Sequence, residues 1–259
     1  MNRSDEGAPA AEAQRRVEVW LSALERRALG QVTFSELARS IRALSAWYVE
    51  KRDRLGSAQV FGGAGKRAAF ASYYGPLHFL LVRSLIGALP PFDTRPQRIV
   101  DLGCGTGVAG AALSLAFAPP VDIVAGDASP WPVKEAGWTL ATLGLSCRVR
   151  CMDVLQVPLG GKGTSIVAAF CVNELGDTAR SRLLTRLQHA IADGAHVLIV
   201  EPIARSPLPW WDVWAEALAT CGASAQEWRW PAVLPDWLIR LDRAAHLHHD
   251  TLTCRSLSV

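Results

Sequence analysis

The sequence has 259 residues, of which 50% are hydrophobic, and a formal net charge of +3 at pH 7. A chain of this length and apolarity can bury the core of one α/β domain with an appendage, although two small domains would also fit. No stretch approaches the roughly 20 apolar residues that cross a bilayer, so a membrane partner is not expected. The net charge alone is too small to indicate a nucleic-acid partner.

The charge is distributed unevenly along the chain. Residues 1–98 carry 15 Lys and Arg against 9 Asp and Glu, whereas residues 99–259 carry 12 against 15. This balance favours an anionic partner such as RNA on the N-terminal side; the alternative is that the cations solvate helix faces. The six cysteines form no C-x-x-C pair, and no secretory leader precedes them. Reduced thiols and a cytoplasmic location are therefore expected.

The first 95 residues follow a helical pattern. Apolar residues recur at helical spacing before Gly30, which predicts a first helix that ends there. The segment Thr33-Phe-Ser-Glu36 has the form of a capping box and predicts the start of a second helix, which runs through Tyr48. The apolar segment Phe70–Leu89 predicts one broken helix, and Pro90-Pro91 closes the region.

The rest of the chain alternates strands with helices. Short β-branched runs predict strands at Arg98–Leu102, Val121–Gly126, Cys147–Cys151, Ser165–Cys171 and His196–Glu201. Helical patterns lie between them at Val108–Phe117, Pro132–Leu143 and Thr178–Ile191, and then come a helix at Trp210–Thr220 and two late strands near Ala225–Trp230 and Thr251–Val259. This alternation predicts a Rossmann-like α/β fold, with a mostly parallel seven-stranded sheet covered by helices on both faces and an N-terminal helical extension.

A glycine-rich loop follows the first strand. That strand ends at Asp101, and the loop runs Gly103-Cys-Gly105-Thr-Gly107. Glycines let the backbone turn sharply and remove side chains that would block a ligand, as in sites for NAD and for S-adenosylmethionine (SAM). The dinucleotide fingerprint would place its third glycine at position 108, where Val108 stands. The spacing therefore favours SAM.

Over roughly residues 98–205 the chain resembles the class I SAM-dependent methyltransferases. Further matches to that family follow the loop in order, each at the end of a predicted strand. The resemblance implies that the cofactor-binding residues are Asp101, Gly103, Gly105, Gly107, Asp127, Ala128, Asp153, Val154, Cys171 and Asn173. A carboxylate at the position of Asp127 can accept both ribose hydroxyl protons, although a helix N-cap is an alternative role for it. In the family, the residue at Asp153 accepts a hydrogen bond from the adenine amino group.

The sequence indicates less clearly which residues contact the methyl acceptor. The methyl group of SAM is already electrophilic, so a base is needed only where the acceptor must lose a proton. Asn173 and Glu174 follow the fourth strand and are the tentative catalytic residues; the alternative is that they cap the next helix. Tyr73, Tyr74 and His78 precede the domain and are the tentative substrate residues, with core packing as the alternative.

Three segments resemble, more closely, the methyltransferase-like proteins associated with the small ribosomal subunit of mitochondria and bacteria. They are Arg67–Phe79, Val167–Leu175 and Val197–Pro202, the last followed by Ser206-Pro207. Those relatives carry a cysteine cluster after the fifth strand, where this chain offers only Cys221, so no iron–sulfur cluster is expected. His246, His248 and His249 have no cysteine or carboxylate partners at metal-ligand spacing, so no metal is expected either.

These observations predict two domains and one activity. Residues 1–95 are expected to form a helical cap on the substrate side, and residues 96–259 a SAM-binding methyltransferase domain. The expected function is methyl transfer from SAM to an unidentified acceptor, with a small molecule or peptide favoured over RNA or a ribosomal subunit. The alternative is a SAM-binding, ribosome-associated assembly or binding protein with little or no turnover.

Overall fold

The computed structural model describes residues 7–50, 62–203 and 209–259. The N-terminal part of this structure is helical, as expected. Its elements are α1 (Gly7–Leu29), α2 (Phe34–Glu50), α3 (Ala64–Ala69), a π-helical turn (Phe70–Tyr74) and α4 (Gly75–Ala88). The predicted break in the third helix is this π turn, which inserts one extra residue into an otherwise continuous helical path. Of the closer ribosomal resemblance, Ser206-Pro207 lies outside the described residues.

The predicted capping box is confirmed at the start of α2. The Glu36 amide donates to the Thr33 hydroxyl oxygen at 3.2 Å. In return, the Glu36 carboxylate accepts from the Thr33 amide at 2.9 Å and from the Thr33 hydroxyl at 2.7 Å. The two side chains therefore satisfy backbone donors on both sides of the helix start.

Strands and helices then alternate. The strands are β1 (Arg98–Leu102), β2 (Asp122–Asp127), β3 (Cys147–Cys151), β4 (Thr164–Ala169), β5 (His196–Glu201), β6 (Ser224–Pro231) and β7 (Thr251–Ser258). The helices are α5 (Val108–Ser114), α6 (Pro130–Thr142), α7 (Asp177–Ala192), α8 (Pro209–Ala219) and α9 (Asp236–Ala245), with short 3₁₀ turns at Val154–Gln156 and Val172–Glu174.

The strands form one sheet in the described part of the chain, in the order β3-β2-β1-β4-β5-β7-β6. Strands β1 to β5 pair in parallel, and β7 runs antiparallel to both β5 and β6. In the central register, Val100 lies between Val124 and Ile166, so the middle of the sheet is apolar. The predicted Rossmann-like fold with a mostly parallel seven-stranded sheet is therefore confirmed.

One strand end was predicted wrongly, and one helix was not predicted. Strand β4 ends at Ala169 rather than at Cys171, because Phe170 adopts a left-handed φ of 60° that cannot continue a strand. Helix α9 was missed; its apolar side chains, such as Leu238 and Leu241, are buried on one face. The histidines that follow it lie in a turn before β7 and do not form a strand, because His246 ends the helix in the left-handed conformation.

Helices cover both faces of the sheet. One core joins the N-terminal helices to β1 and β2, and in it the Trp20 ring of α1 lies 5.4 Å from the Phe79 ring of α4. The other core contains Leu187 of α7 and Trp214 of α8. The N-terminal helices are thus packed onto the sheet at the end where the site is formed. None of the helices in the described ranges has the length and apolarity needed to cross a membrane.

Truncation of Trp20 is expected to destabilise the protein strongly. The side chain is fully buried, so Trp20→Ala leaves a large cavity and should lower the free energy of unfolding by about 3–5 kcal/mol. The neighbouring Val19 is 58% exposed, and Val19→Ala should cost less than about 0.5 kcal/mol. Chemical denaturation of both variants measures this difference, and equal losses would contradict the packing of α1 described above.

Candidate active site

A cavity of about 650 Å³ lies at the carboxyl ends of β1, β2 and β4. Strand order reverses between β1 and β4, and sheets of this type bind ligands at such a switch point. The predicted site residues that line the cavity are Tyr74, His78, Asp101, Gly103, Gly105, Asp127, Ala128, Asp153, Val154, Cys171, Asn173 and Glu174. The structure therefore brings most of the predicted residues into one place.

The buried Asp101 carboxylate holds the glycine loop against α5. Its Oδ2 accepts a hydrogen bond from the Gly110 amide at 2.9 Å. A Cβ on Gly110 would lie 2.8 Å from that oxygen, so only glycine allows this approach. Burial raises the pKa of Asp101 to about 7, opposed by the Gly110 hydrogen bond. Asp101 thus fixes the conformation of the loop from its buried side.

The glycines of the loop have different surroundings. Gly103 and Gly105 have φ values of 58° and 52°, in the left-handed region that favours glycine. A Cβ on Gly103 would lie 2.6 Å from the Cβ of Cys171, whereas one on Gly105 would meet nothing within 4 Å. In contrast to the expectation, Gly107 does not line the cavity. It faces α6, where a Cβ would lie 3.1 Å from Ala136. Gly105 therefore presents bare backbone to open space.

Two backbone amides orient the carboxylate of Asp127 at the end of β2. The Gly105 amide donates to Oδ2 at 3.1 Å, and the Ser129 amide donates to Oδ1 at 2.9 Å. The residue at the N-cap position of α6 is Ser129 and not Asp127. Burial raises the pKa of Asp127, and the two amides oppose this effect. Each oxygen keeps a further lone pair for a ligand in the cavity.

Asp153 and Val154 follow β3 at the cavity wall. Asp153 Oδ1 accepts from the Leu155 amide at 2.7 Å, which starts the 3₁₀ turn, and the Asp153 side chain is exposed. Val154 is buried beside it and lines the same wall. This pair gives an acceptor next to an apolar surface, which suits the edge and face of a flat ring.

Glu201, at the end of β5, shapes the loop after β4. Its Oε1 accepts from the amides of Val172 and Asn173 at 2.9 and 3.2 Å. Its Oε2 is buried with no hydrogen-bond partner among the described residues, and burial raises the pKa of Glu201 to about 8. The Asn173 side chain in turn accepts from the Trp210 indole at 3.3 Å. Asn173 is thus held from both its backbone and its side chain.

Glu174 opens onto the cavity near the glycine loop. Although the side chain is accessible from the cavity, the protein packed around it raises the pKa of its carboxyl to about 7. The charge of Asp127 contributes to the same rise. Neither Asn173 nor Glu174 caps α7, because the N-cap residue of that helix is Gly176.

The opposite wall of the cavity is aromatic. The His78 ring of α4 stacks on Phe170, with centroids 4.1 Å apart, and Phe70 and Tyr74 of the π turn lie beside it. Burial lowers the pKa of His78 to about 4, so its ring is neutral near pH 7. Phe170 holds its left-handed backbone conformation at this contact, which is typical of strain kept at a functional site.

Tyr73 does not line the cavity, in contrast to the prediction. The π turn points its side chain inward, where the hydroxyl donates to Asp242 of α9 and lies 2.9 Å from His249 Nδ1. His249 does line the cavity and contacts Asp242 at 2.7 Å. Within the described ranges, no group of three or more His, Cys, Asp or Glu side chains is arranged to hold a metal ion.

Several cavity residues were missed by the sequence analysis. They include Phe70, Leu77, Thr106, Phe170, His249, Thr251 and Thr253. Thr106 lies between two loop glycines, so its position in the sequence could have identified it as a cavity residue. The residues at the start of β7 were out of reach, because helix α9, which brings them to the cavity, was not predicted.

Comparison with known proteins supports the fold and the presence of a methyltransferase domain. Residues 99–194 match a family model described as a methyltransferase domain. No curated protein matches the sequence. The chain is similar to the solved structure of a putative O-methyltransferase from Nostoc punctiforme, with 11% identity and a TM-score of 0.54 over 89% of this chain and 71% of that one. It is also similar to the plantazolicin methyltransferase BpumL, solved with a triazolic desmethylPZN analog and SAH, with 15% identity and a TM-score of 0.50 over 88% and 98% of the two chains.

Glu201 should make the stability of the protein depend on pH. Its pKa is raised in the folded state, so between about pH 4.5 and 8 the unfolded chain releases this proton while the folded chain keeps it. The free energy of unfolding of the native protein should therefore fall with rising pH, relative to Glu201→Gln, by up to about 1.4 kcal/mol per unit. Denaturant titrations at several pH values measure this, and parallel pH profiles for the two proteins would contradict a proton on Glu201.

Proposed function

We propose, from the methyltransferase domain over residues 99–194 and the cavity beside it, that this chain is a SAM-dependent methyltransferase acting on a small aromatic molecule. The observation that carries this proposal is the geometry at the end of β2. There a carboxylate, Asp127, is aimed by two backbone amides beside the open backbone of Gly105. A nucleoside that carries a ribose fits this arrangement, because its two hydroxyls match the two carboxylate oxygens.

The rest of the wall fits the other parts of SAM. The bare Gly105 backbone leaves room for a ligand lying on the loop. Asp153 and Val154 offer an acceptor and an apolar face for adenine. The raised pKa values of Asp101 and Glu174 bring neighbouring carboxyls close to neutrality, which limits electrostatic repulsion of the cofactor's own carboxylate.

The protein contributes to the reaction by positioning SAM and the acceptor. SAM supplies a methyl group on a sulfonium, so no covalent nucleophile is required of the chain. The strand-end loops hold the cofactor, and half-buried aromatic side chains at the acceptor end limit its contact with water. Alignment of reacting atoms in a dry pocket supplies several kcal/mol of rate enhancement.

The acceptor end favours a small aromatic compound. Its wall is formed by Phe70, Tyr74, His78 and Phe170, whose faces and edges suit stacking on a ring. Two of the cations that suggested RNA make structural contacts instead. Arg27 makes a bidentate pair with the buried Glu135, and Arg16 donates to the Leu143 carbonyl and to Glu12. The ribosome-associated alternative gains no support from the comparisons.

Methyl-labelled SAM tests the proposed function directly. The purified chain is incubated with labelled SAM and a cell lysate separated into small molecules, protein and RNA. We expect the label in the small-molecule fraction. Label in RNA would contradict the proposed acceptor class, and no label in any fraction, despite measurable SAM binding, would favour a binding protein.

Asp127→Ala should weaken SAM binding at least about tenfold, since a buried pair of hydrogen bonds to a carboxylate is worth roughly 2–3 kcal/mol. Asp122→Ala is the matched control, because Asp122 is exposed at the opposite end of the same strand. Isothermal titration calorimetry with SAM measures both affinities. Equal affinities for the two variants would place the ribose elsewhere.

A further inference from the structure

Three polar side chains from distant parts of the chain meet behind the cavity wall. Tyr73 comes from the π turn, Asp242 from α9, and His249 from the turn before β7. Asp242 Oδ1 lies within hydrogen-bond distance of the Tyr73 hydroxyl and 2.7 Å from His249 Nδ1. Asp242 Oδ2 accepts from the His249 backbone amide at 3.0 Å. The carboxylate therefore fixes both the backbone and the ring of His249.

The hydrogen bonds define where the protons lie. Burial disfavours the charge on Asp242, yet the hydrogen bonds from Tyr73 and His249 lower its pKa overall, so Asp242 is ionised near neutral pH. An ionised carboxylate only accepts, so both the Tyr73 hydroxyl and His249 Nδ1 must donate to it. Burial raises the pKa of Tyr73, which keeps its proton. A neutral His249 therefore carries its hydrogen on Nδ1 and a lone pair on Nε2.

The free edge of the His249 ring faces the cavity. Tyr73 and Asp242 are buried, whereas the His249 side chain is 35% exposed and lines the cavity. Because the Nδ1 edge is held inside by its partners, the exposed part of the ring is the edge that carries Nε2. Thr251 and Thr253 continue the same wall along the start of β7.

The other titratable groups of the cavity are less suited to act as a base on the acceptor. His78 is half-buried with its ring stacked on Phe170, and no carboxylate contacts that ring in the described structure. Glu174 lies within the influence of Asp127, at the end of the cavity assigned to the cofactor. His249 lies against Tyr73 of the π turn, which supplies Phe70 and Tyr74 to the acceptor wall, and it has a carboxylate that orients it. This is the arrangement of a positioned general base.

We propose that His249 is the general base of the reaction and that the acceptor is an aromatic hydroxyl compound. His249 Nε2 takes the proton of the hydroxyl. The acceptor oxygen forms a bond to the methyl carbon of SAM as the carbon–sulfur bond breaks, and that electron pair stays on sulfur in the thioether product. Asp242 is a positioning residue that holds the ring and stabilises the imidazolium formed. This inference rests on the proposed function.

The presence of a base favours a hydroxyl group as the methyl acceptor over an amine or a thiol. A phenol has a pKa near 10, so it is protonated at neutral pH and its oxygen becomes strongly nucleophilic only as the proton leaves. A neutral amine has a lone pair ready and loses its proton after transfer. A thiol ionises readily without help, since its reference pKa is about 8.5. A positioned imidazole therefore gives its largest advantage to a phenolic acceptor.

The tautomer of His249 tests the arrangement without any turnover. Nitrogen-15 NMR of the histidine rings at pH 8, assigned with His249→Gln, reports which ring nitrogen carries the hydrogen. We expect hydrogen on Nδ1 in the native chain, and a shift of the tautomer population toward Nε2–H in Asp242→Asn, whose amide can donate to Nδ1. Hydrogen on Nε2 in the native chain would overturn the proposal.

Single-turnover transfer from SAM to catechol and 4-hydroxybenzoate tests the catalytic role. His249→Gln should lower the rate on phenols by about 100-fold or more, and Asp242→Asn by about tenfold, with Asp242→Glu restoring part of the loss. His248→Asn is the control, because His248 is exposed and asparagine tolerates its left-handed backbone. Equal rates for His249→Gln and the native chain would overturn the role.

Calorimetry with SAM separates this inference from the function on which it rests. A chain that does not bind SAM contradicts the proposed function itself. A chain that binds SAM with unchanged affinity in His249→Gln, yet methylates no phenol, contradicts only the base and the hydroxyl acceptor.

Discussion

The hydrogen bond from the Gly110 amide to the buried Asp101 carboxylate is the contact on which the site depends. It ties the end of β1 to the first turn of α5, so the loop between them has a fixed path. That path leaves Gly105 open to the cavity and brings Gly103 against Cys171.

The same arrangement recurs at the ends of two other strands. Asp127 after β2 and Glu201 after β5 each accept two backbone amides, and each thereby fixes a loop that borders the cavity. Buried carboxyls are costly unless they are hydrogen-bonded, so their presence here is explained by the loops they hold. The cavity is therefore shaped mainly by carboxyl-to-amide bonds, and its acceptor end by packed rings such as Phe170.

The sequence predicts the cavity residues at the strand ends much better than those that the π turn and β7 bring to the cavity. Local patterns indicate the strand ends, so Asp127 and Asp153 are found because each follows a short β-branched run. The inward rotation of Tyr73 depends on a π turn, and the position of His249 depends on α9 and on long-range packing. Neither is encoded in a nearby pattern, because both follow from contacts between residues more than 160 positions apart.

A crystal structure with S-adenosylhomocysteine tests the central claim most directly, because it locates the ribose and the sulfur relative to the strand ends. The account predicts both ribose hydroxyls within hydrogen-bond distance of Asp127, the nucleoside over Gly105, and the sulfur facing the wall that holds Phe170 and His249. A nucleoside bound outside this cavity, or with its ribose away from Asp127, would contradict it.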